Sequence, residues 1–578
     1  MLRRNIMNKN SILSLYNKIE GYNSRSPEIL CFIIYILSVI TLSFFHEPWF
    51  DEFQAWGISR ASIHDILFVI PHFEVHPPLW HLVLKCFSSF NLPAELCIKI
   101  PNLIFVFASV WLIIFKSPFP RVVRLTLPFT YFIFYQYAVI SRPYSMLMFA
   151  LLLSALFYKE KDSRPFRFIA TLGFLSLTSL YGMVLATGIT LAWVYEIWDK
   201  QNFVAFLRSF VKDKRFFAML GLFFLCLLLA IEIFPDEQKI SFIPIHRLPI
   251  LLRSLYAIFG TIADATITDF LNLSNLTMIN PPKLVFAFSV VIGGCIYWLL
   301  YREFYKQKCV SFIFILFFLS LFYIKYIWPH HLGIQLIFLI TIFWIISEKN
   351  VQKIKFSKPI IGLIILTIMI QFSWSILSFV SEIKCDYSPS RQLSSYVKLY
   401  SLNEYKLFSS WASNYYYTDE KGKKIYFKEE LKVDEKYEKV LSENIDNQVL
   451  PILINPYFNK NLFSNFRIDN PNALFLPHLA PTDEQTEIIK KRWAKNGKSD
   501  FIFADFVTTE QPFYKYLRDY YLLQIFNAEM IWKGITIPHT SAIYVREDLY
   551  LDIKEKIRRI DEENMQKDKR GFRNIFSR

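Results

Sequence analysis

Cysteine is sparse in this chain: seven occur among 578 residues, with no C-x-x-C pair. Cys31, Cys226, Cys295 and Cys309 sit in or at the ends of apolar runs, and the C-terminal third has only Cys385. Neither a disulfide framework nor a thiolate metal site therefore organises the fold. Charge is sparse too, at 20% of residues, and the long apolar runs carry almost no ionisable side chain away from their ends. A transporter or flippase needs such groups near the middle of the bilayer, so their scarcity argues against that class. There is no internal repeat, and the C-terminal third has no catalytic triad, Gly-rich phosphate loop or metal-ligand spacing.

What the chain has in excess is apolar and aromatic side chains. At 53% hydrophobic and 18% aromatic residues, with a mean hydropathy of +0.29, it reads as a polytopic α-helical membrane protein. A bilayer offers backbone N–H and C=O groups no partner, so runs of roughly 17–25 apolar residues cross it as helices. Eleven runs qualify, and uncertain edges admit up to thirteen: 29–45, 98–115, 122–140, 143–158, 166–181, 183–198, 216–234, 284–301, 309–327, 329–347 and 358–380. Short basic loops stay cytoplasmic. With residues 1–28 inside, 24 Lys and Arg residues fall on the inner side and nine in the opposite loops. This bias predicts a multi-pass protein of the inner or plasma membrane, with the first span a retained signal anchor. Usage rich in Phe, Ile, Lys and Asn points to an AT-rich bacterial genome. The net charge of +15 lies mostly in the inner loops and the tail, so it does not argue for nucleic acid.

The expected outer loop 46–97 holds the chemistry. "WFDEF" places Asp51 and Glu52 just after the first span, and "FEVHPPLWH" places Glu74, His76 and His81 around a Pro-Pro pair. The segment "PLWHLVLKCFSSF" has Leu79, Leu82, Val83, Cys86, Phe87 and Phe90 on one helical face and His81, Lys85 and Ser88 on the other, the pattern of a helix lying in the membrane surface. Pro77 and Pro78 suit its first turn, whose free N–H groups would face the carboxylates and favour a phosphate. Carboxylates beside a phosphate site suit proton abstraction from an acceptor hydroxyl, or the holding of a divalent ion. His46, His64, His72, His76 and His81 add potential metal ligands, although their spacing matches no closed zinc pattern. The plain alternative is that Asp51 and Glu52 are solvated residues capping the end of the first span.

Asp51-Glu52 after the first span, followed by Glu74-Val75-His76-Pro77-Pro78-Leu79, resembles the first outer loop of the C-superfamily of membrane glycosyltransferases, in particular protein O-mannosyltransferases and lipid A aminoarabinose transferases. The resemblance implies a polyprenyl-phosphate sugar donor, with Asp51 and Glu74 as the catalytic pair. "SRPYSMLM" resembles a further element of bacterial members and sets Arg142 and Tyr144 at the outer end of a span. Many relatives carry an Arg near the outer start of a late span; here "YIKYIWPHHLG" offers Lys325, His330 and His331 instead. With Glu52, His76 and Lys85, these residues complete the candidate substrate-binding set. The acceptor would be a glycan, a lipid or a protein. A surface-polysaccharide polymerase or ligase is the rival enzyme reading.

The expected organisation is a cytoplasmic N-terminus (1–28), a transmembrane domain (29–383), an extracytoplasmic α/β domain (384–550) and a basic tail (551–578). "RLPILLRSLYAIFG" reads as a second surface-lying helix, and "SSWASNYYYTDE", with Trp411, Tyr415, Tyr416 and Tyr417, as aromatic surface or core. The charge bias yields a direct test. A reporter active only outside the cytoplasm should be active when fused after Val380 and silent after Lys308; the opposite pair would invert the assignment.

Overall fold

The computed structural model describes residue 20 and residues 24–90, 92–198, 202–234, 249–270, 283–325, 327–349, 356–411, 416–418, 424–426, 449–467, 470–476, 499–505 and 520–576. Its longer helices are α1 (Ser26–Phe45), α2 (Phe50–Ser59), α3 (Leu79–Ser88), α4 (Ala94–Lys116), α5 (Tyr144–Phe157), α6 (Pro165–Ser176), α7 (Leu180–Trp198), α8 (Lys214–Glu232), α9 (Lys283–Lys306), α10 (Ser311–Lys325), α11 (Leu332–Lys349) and α12 (Lys358–Lys384). Among the described residues, seven are long and apolar enough to cross a membrane: α1, α4, α7, α8, α9, α12, and α11 together with the turn before it. At about 1.5 Å per residue, some 20 residues match a hydrocarbon core of about 30 Å.

Four expected spans turn out differently. α5, α6 and α10 have 14, 12 and 15 residues, short of a full crossing. The run 122–140 is not one helix but a helical turn and a half at Arg121–Thr126, a 3-10 turn at Leu127–Phe129 and a π turn at Phe132–Gln136. Its residues are apolar because they are buried in protein: Tyr131, Phe132, Ile133, Tyr135, Ala138 and Val139 have no exposed surface. Irregular backbone at membrane depth persists only where protein groups take its polar atoms. Here the Tyr35 hydroxyl donates to the Ile133 carbonyl at 2.7 Å, and Asn102 Nδ2 donates to the carbonyls of Tyr137 and Ala138 at 3.3 and 2.9 Å.

The expected surface helix is α3, which turns Trp80, His81, Leu84 and Ser88 inward and leaves Cys86 and Phe90 exposed. It starts at Leu79 with Pro78 as its cap, so the Pro-Pro pair precedes the first turn and does not form it. Of the second expected surface helix, the described part is a short helix at Ile250–Leu255 running into a π turn at Tyr256–Gly260.

After α12 come α13 (Ser390–Leu399) and the strands β1 (Leu407–Trp411), β2 (Tyr416–Thr418), β3 (Lys424–Tyr426), β4 (Phe501–Asp505), β5 (Tyr520–Trp532) and β6 (Ile535–Arg546), then α14 (Glu547–Phe576). The main sheet has the order β1-β4-β6-β5, with β1 and β4 parallel and the other pairs antiparallel; β2 and β3 pair separately. Short apolar strands such as "FIFAD" form its buried centre. The expected basic tail is the body of α14.

Several anchors fix these C-terminal elements to the helices, two of them through cationic side chains. Arg391 of α13 pairs with both oxygens of Glu95 at 2.8 and 2.5 Å and donates to the carbonyls of Phe44, Phe45 and His46 at the end of α1. A cation there meets the negative end of the helix dipole and satisfies carbonyls that have no partner within the helix. The second anchor is the β5–β6 hairpin, whose two-residue turn has Lys533 at φ 47° and Gly534 at φ 80°, the geometry that suits tightly twisted strands. A side chain on Gly534 would strike Leu377 of α12. Trp532 packs on Tyr131 and Phe132, and Lys533 reaches Asp269 at 3.0 Å and the carbonyls of Asp264 and Thr268 at 2.7 and 2.8 Å.

The Lys533 side chain has no exposed surface. Lys533→Ala leaves the carbonyls of Asp264 and Thr268 without their donor and the part-buried carboxylate of Asp269 without this cation, and should lower stability by about 1–3 kcal/mol, seen as earlier melting of the purified protein. Ile535→Ala, at a position 38% exposed, should melt with the parent.

Candidate functional site

α2 separates its two acidic residues, because adjacent positions on a helix point about 100° apart. Glu52 turns inward and has no exposed surface. Its Oε2 accepts from the Trp49 backbone at 3.1 Å, closing the helix start, and faces His46 Nε2 at 2.9 Å; its Oε1 accepts from the Ser141 N–H at 2.7 Å. The other His46 nitrogen faces Glu382 of α12 at 3.0 Å, and the Tyr135 hydroxyl donates to the remaining Glu382 oxygen. Burial alone would lower the pKa of His46, but the carboxylates of Glu52 and Glu382 raise it to about 9. Burial likewise opposes the charge on Glu52, yet His46 and the backbone donors hold its carboxyl below the usual range. Glu52, expected among the substrate contacts, is thus part of the wall.

Asp51 turns the other way. Its Oδ2 lies 2.7 Å from Arg142 Nη1, and the two side chains retain 25% and 19% exposure, so this pair is open where the Glu52–His46 pair is sealed. Burial raises the Asp51 carboxyl above its ordinary value, against the pull of Arg142. Arg142 precedes Pro143, which caps α5, so the start of that helix fixes the loop bearing the guanidinium. The guanidinium lies 6.0 Å from the Tyr144 ring, which stacks on Tyr137 and meets the rings of His330 and His331 at 5.3 and 5.8 Å.

Glu74 ends a short helix, Ile70–Glu74, and the next residue, Val75, has φ 53° and ψ 33°. A β-branched residue in the left-handed region is strained, and such strain concentrates at functional sites. The turn brings the Glu74 carboxyl to Gln54 Nε2 at 3.2 Å and lets His76 Nδ1 meet the Glu74 carbonyl at 2.7 Å. Burial pushes the Glu74 carboxyl up; Gln54 and Arg142 oppose that, and Asp51 adds to it. Burial, reinforced by Arg142, pushes His76 down to about 4, leaving the ring neutral at physiological pH.

Asp51 and Arg142 therefore pair from two separate stretches, with Glu74 and His76 of a third within electrostatic reach of Arg142 and with Tyr144 and His330 packed beyond the guanidinium. His331 is bound elsewhere: its Nδ1 accepts from the Trp328 N–H at 3.0 Å and the Tyr181 hydroxyl lies 3.1 Å away. Lys85 is not brought to the carboxylates by any bond; its ammonium donates to the carbonyls of Ser59 and Ala61, 3.3 and 2.7 Å away, at the far end of α2. The Lys325 side chain lies outside the described residues, as do those of Trp411, Tyr415, Tyr416 and Tyr417. Among the described residues no three His, Cys, Asp or Glu side chains gather as a metal site.

Three contributors escaped the sequence reading as site residues. Gln54 lies one helical turn after Asp51, a spacing that puts both on one face. His46 was legible only as one histidine among several, and Glu382 only as the end of a span. Searches of the chain against family models, curated proteins and solved structures found no match.

The raised pKa of His46 fixes the sign of a pH effect. Its contribution to stability is complete below about 6.5, the ordinary histidine value, and is lost as pH rises through about 9. Melting curves of the parent and of His46→Gln should therefore differ most below about pH 6.5 and converge toward pH 10. A constant gap would show that the charge on His46 does not matter.

Proposed function

We propose that this protein is a membrane-bound glycosyltransferase that moves one sugar from a polyprenyl-phosphate carrier to the hydroxyl of a glycan, lipid or protein acceptor, on the extracytoplasmic face and in the manner of the C-superfamily that its first loop resembles. The observation that carries the reading is the pairing of Asp51 with Arg142 at 2.7 Å, part-exposed, beside a second carboxylate, Glu74. Ser141 Oγ, next to Arg142, is buried with no hydrogen-bond partner among the described residues and adds a donor suited to a phosphate oxygen. Among the described buried ionic groups, Glu28, His46 and Glu382 sit at or beside helix ends and not at mid-span, which favours surface chemistry over transport.

The chemistry follows from the pair. Without substrate, Arg142 neutralises Asp51. A donor phosphate competes for the guanidinium, which suits phosphate oxygens as well as carboxylate. Asp51, relieved of its cation in a half-buried setting that already favours the protonated form, becomes the stronger base. The acceptor hydroxyl gives its proton to Asp51 while its oxygen bonds to the anomeric carbon; the bond from that carbon to the phosphate oxygen breaks, and the polyprenyl phosphate leaves with its new charge against Arg142. A single displacement inverts the anomeric centre. Glu74 orients the acceptor hydroxyl.

Asp51→Asn keeps shape while removing the base, so purified protein should still bind the polyprenyl-phosphate sugar while turnover falls by about 10²–10⁴. Arg142→Ala should raise KM for the donor more than it changes stability or expression. Full turnover in Asp51→Asn at saturating donor would return the carboxylate pair to a helix cap and remove the reading.

A further inference from the structure

Gln54 does more than touch Glu74. Its side-chain amide is fully used: Oε1 accepts from the Leu476 N–H at 3.1 Å, and Nε2 donates to the Leu476 carbonyl at 2.7 Å and to Glu74 Oε1 at 3.2 Å. A primary amide has two N–H groups in one plane with its oxygen. Pairing with both polar atoms of Leu476 fixes that plane, so the second N–H is aimed by the peptide segment it grips. The segment 474–476 belongs to the C-terminal part of the chain and crosses α2 at close range. A Cβ on Gly57 would lie 2.2 Å from the Leu474 carbonyl oxygen, so only glycine allows the crossing. From the other side Arg467 holds the same segment, donating to the Phe475 carbonyl at 2.9 Å with its guanidinium 5.1 Å from the Phe475 ring. Gln54, Leu474 and Leu476 are all buried.

We propose that Gln54 is a positioning residue through which segment 474–476 governs the Glu74 carboxyl, so that seating of this segment on α2 and correct presentation of Glu74 are one coupled event. The geometry stands without the transferase reading; only the consequence for turnover rests on it. Coupling of this kind is reciprocal. Whatever lifts 474–476 frees the amide to rotate and weakens its bond to Glu74, and whatever charges Glu74 tightens the grip on the segment. The groups facing the Glu74 carboxyl are Gln54 and Asp51 from α2 and Arg142 from the loop before α5. Gln54 and Arg142 favour the charged form and Asp51 opposes it, so release of Gln54 leaves Glu74 protonated to higher pH.

The test uses full-length protein in lipid nanodiscs and three variants. Gln54→Met keeps length without hydrogen bonds, Gly57→Ala displaces the segment with Gln54 intact, and Arg467→Met loosens it from the far side. Two readouts are independent of activity: hydrogen exchange of the peptide carrying Leu476, and labelling of Glu74 by dicyclohexylcarbodiimide, which reacts with protonated carboxyls in apolar surroundings, followed by mass spectrometry against pH. In every variant that runs as a single species on size exclusion, exchange should accelerate and the midpoint of Glu74 labelling should move up by about half to one pH unit. Accelerated exchange in Gly57→Ala or Arg467→Met with an unmoved labelling midpoint would overturn the coupling, as would an unmoved midpoint in Gln54→Met. If labelling shifts as expected while the parent shows no transfer from a polyprenyl-phosphate sugar, the coupling holds and the transferase reading falls.

Discussion

His46 stands between Glu52 at 2.9 Å and Glu382 at 3.0 Å, and each neighbour is tied to another part of the chain. Glu52 closes the start of α2 and holds the loop at Ser141; Glu382 holds Tyr135 in the irregular run before that loop. Both ring nitrogens face carboxylates, and these raise the pKa of His46 to about 9, favouring the charged ring in which both nitrogens donate. A buried ion is costly unless paired, and an imidazolium between two carboxylates is paired twice. The distance between Asp51 and Arg142 depends on this arrangement. Asp51 is the residue before Glu52, and Arg142 is the residue after Ser141, so one carboxylate sets both sides of the open pair.

Much of this was legible from residue order. Long apolar helices announce themselves by length and composition, which is why α1, α4, α8, α9 and α12 lie where the apolar runs do. The acidic residues of the first loop and Arg142 were also identifiable, because charged side chains beside an apolar run stand out. The run 122–140 shows where that logic ends. Its composition is that of a span, but its surroundings are protein, and apolarity does not distinguish lipid from a packed interior. Glu52 and Lys85 show a second limit. Their residue types fit a phosphate site as well as they fit a helix start and a helix end, and only the fold reveals that Glu52 is sealed against His46 and that Lys85 caps the carbonyls of Ser59 and Ala61. Gln54 was invisible for a related reason: its partners Glu74 and Leu476 lie 20 and 422 residues away, and a neutral amide carries no pattern of its own.

The charged groups around the site also divide the labour between rigidity and exchange. Pairs with no exposed surface, His46 with Glu52 and Glu382, have no competitor for their partners. The part-exposed pair of Asp51 and Arg142 can trade partners with an anion from solvent at small cost, because water reaches it. A rigid frame around one exchangeable contact confines adjustment to the part-exposed pair.

The anchors that hold the C-terminal elements have a consequence for the order in which a ribosome delivers the chain. The carbonyls at the end of α1 wait 345 residues for Arg391, Asp264 waits 269 for Lys533, and Gln54 waits 422 for Leu476. Domains emerge and fold from the N-terminus during synthesis. A nascent polypeptide inserted up to α12 would hold Asp51 and Arg142 yet lack the residues that square α1, α2 and Glu74 against one another. Maturation of the whole assembly is thereby postponed until translation is nearly complete, and a prematurely truncated product would remain in the bilayer as an incomplete precursor.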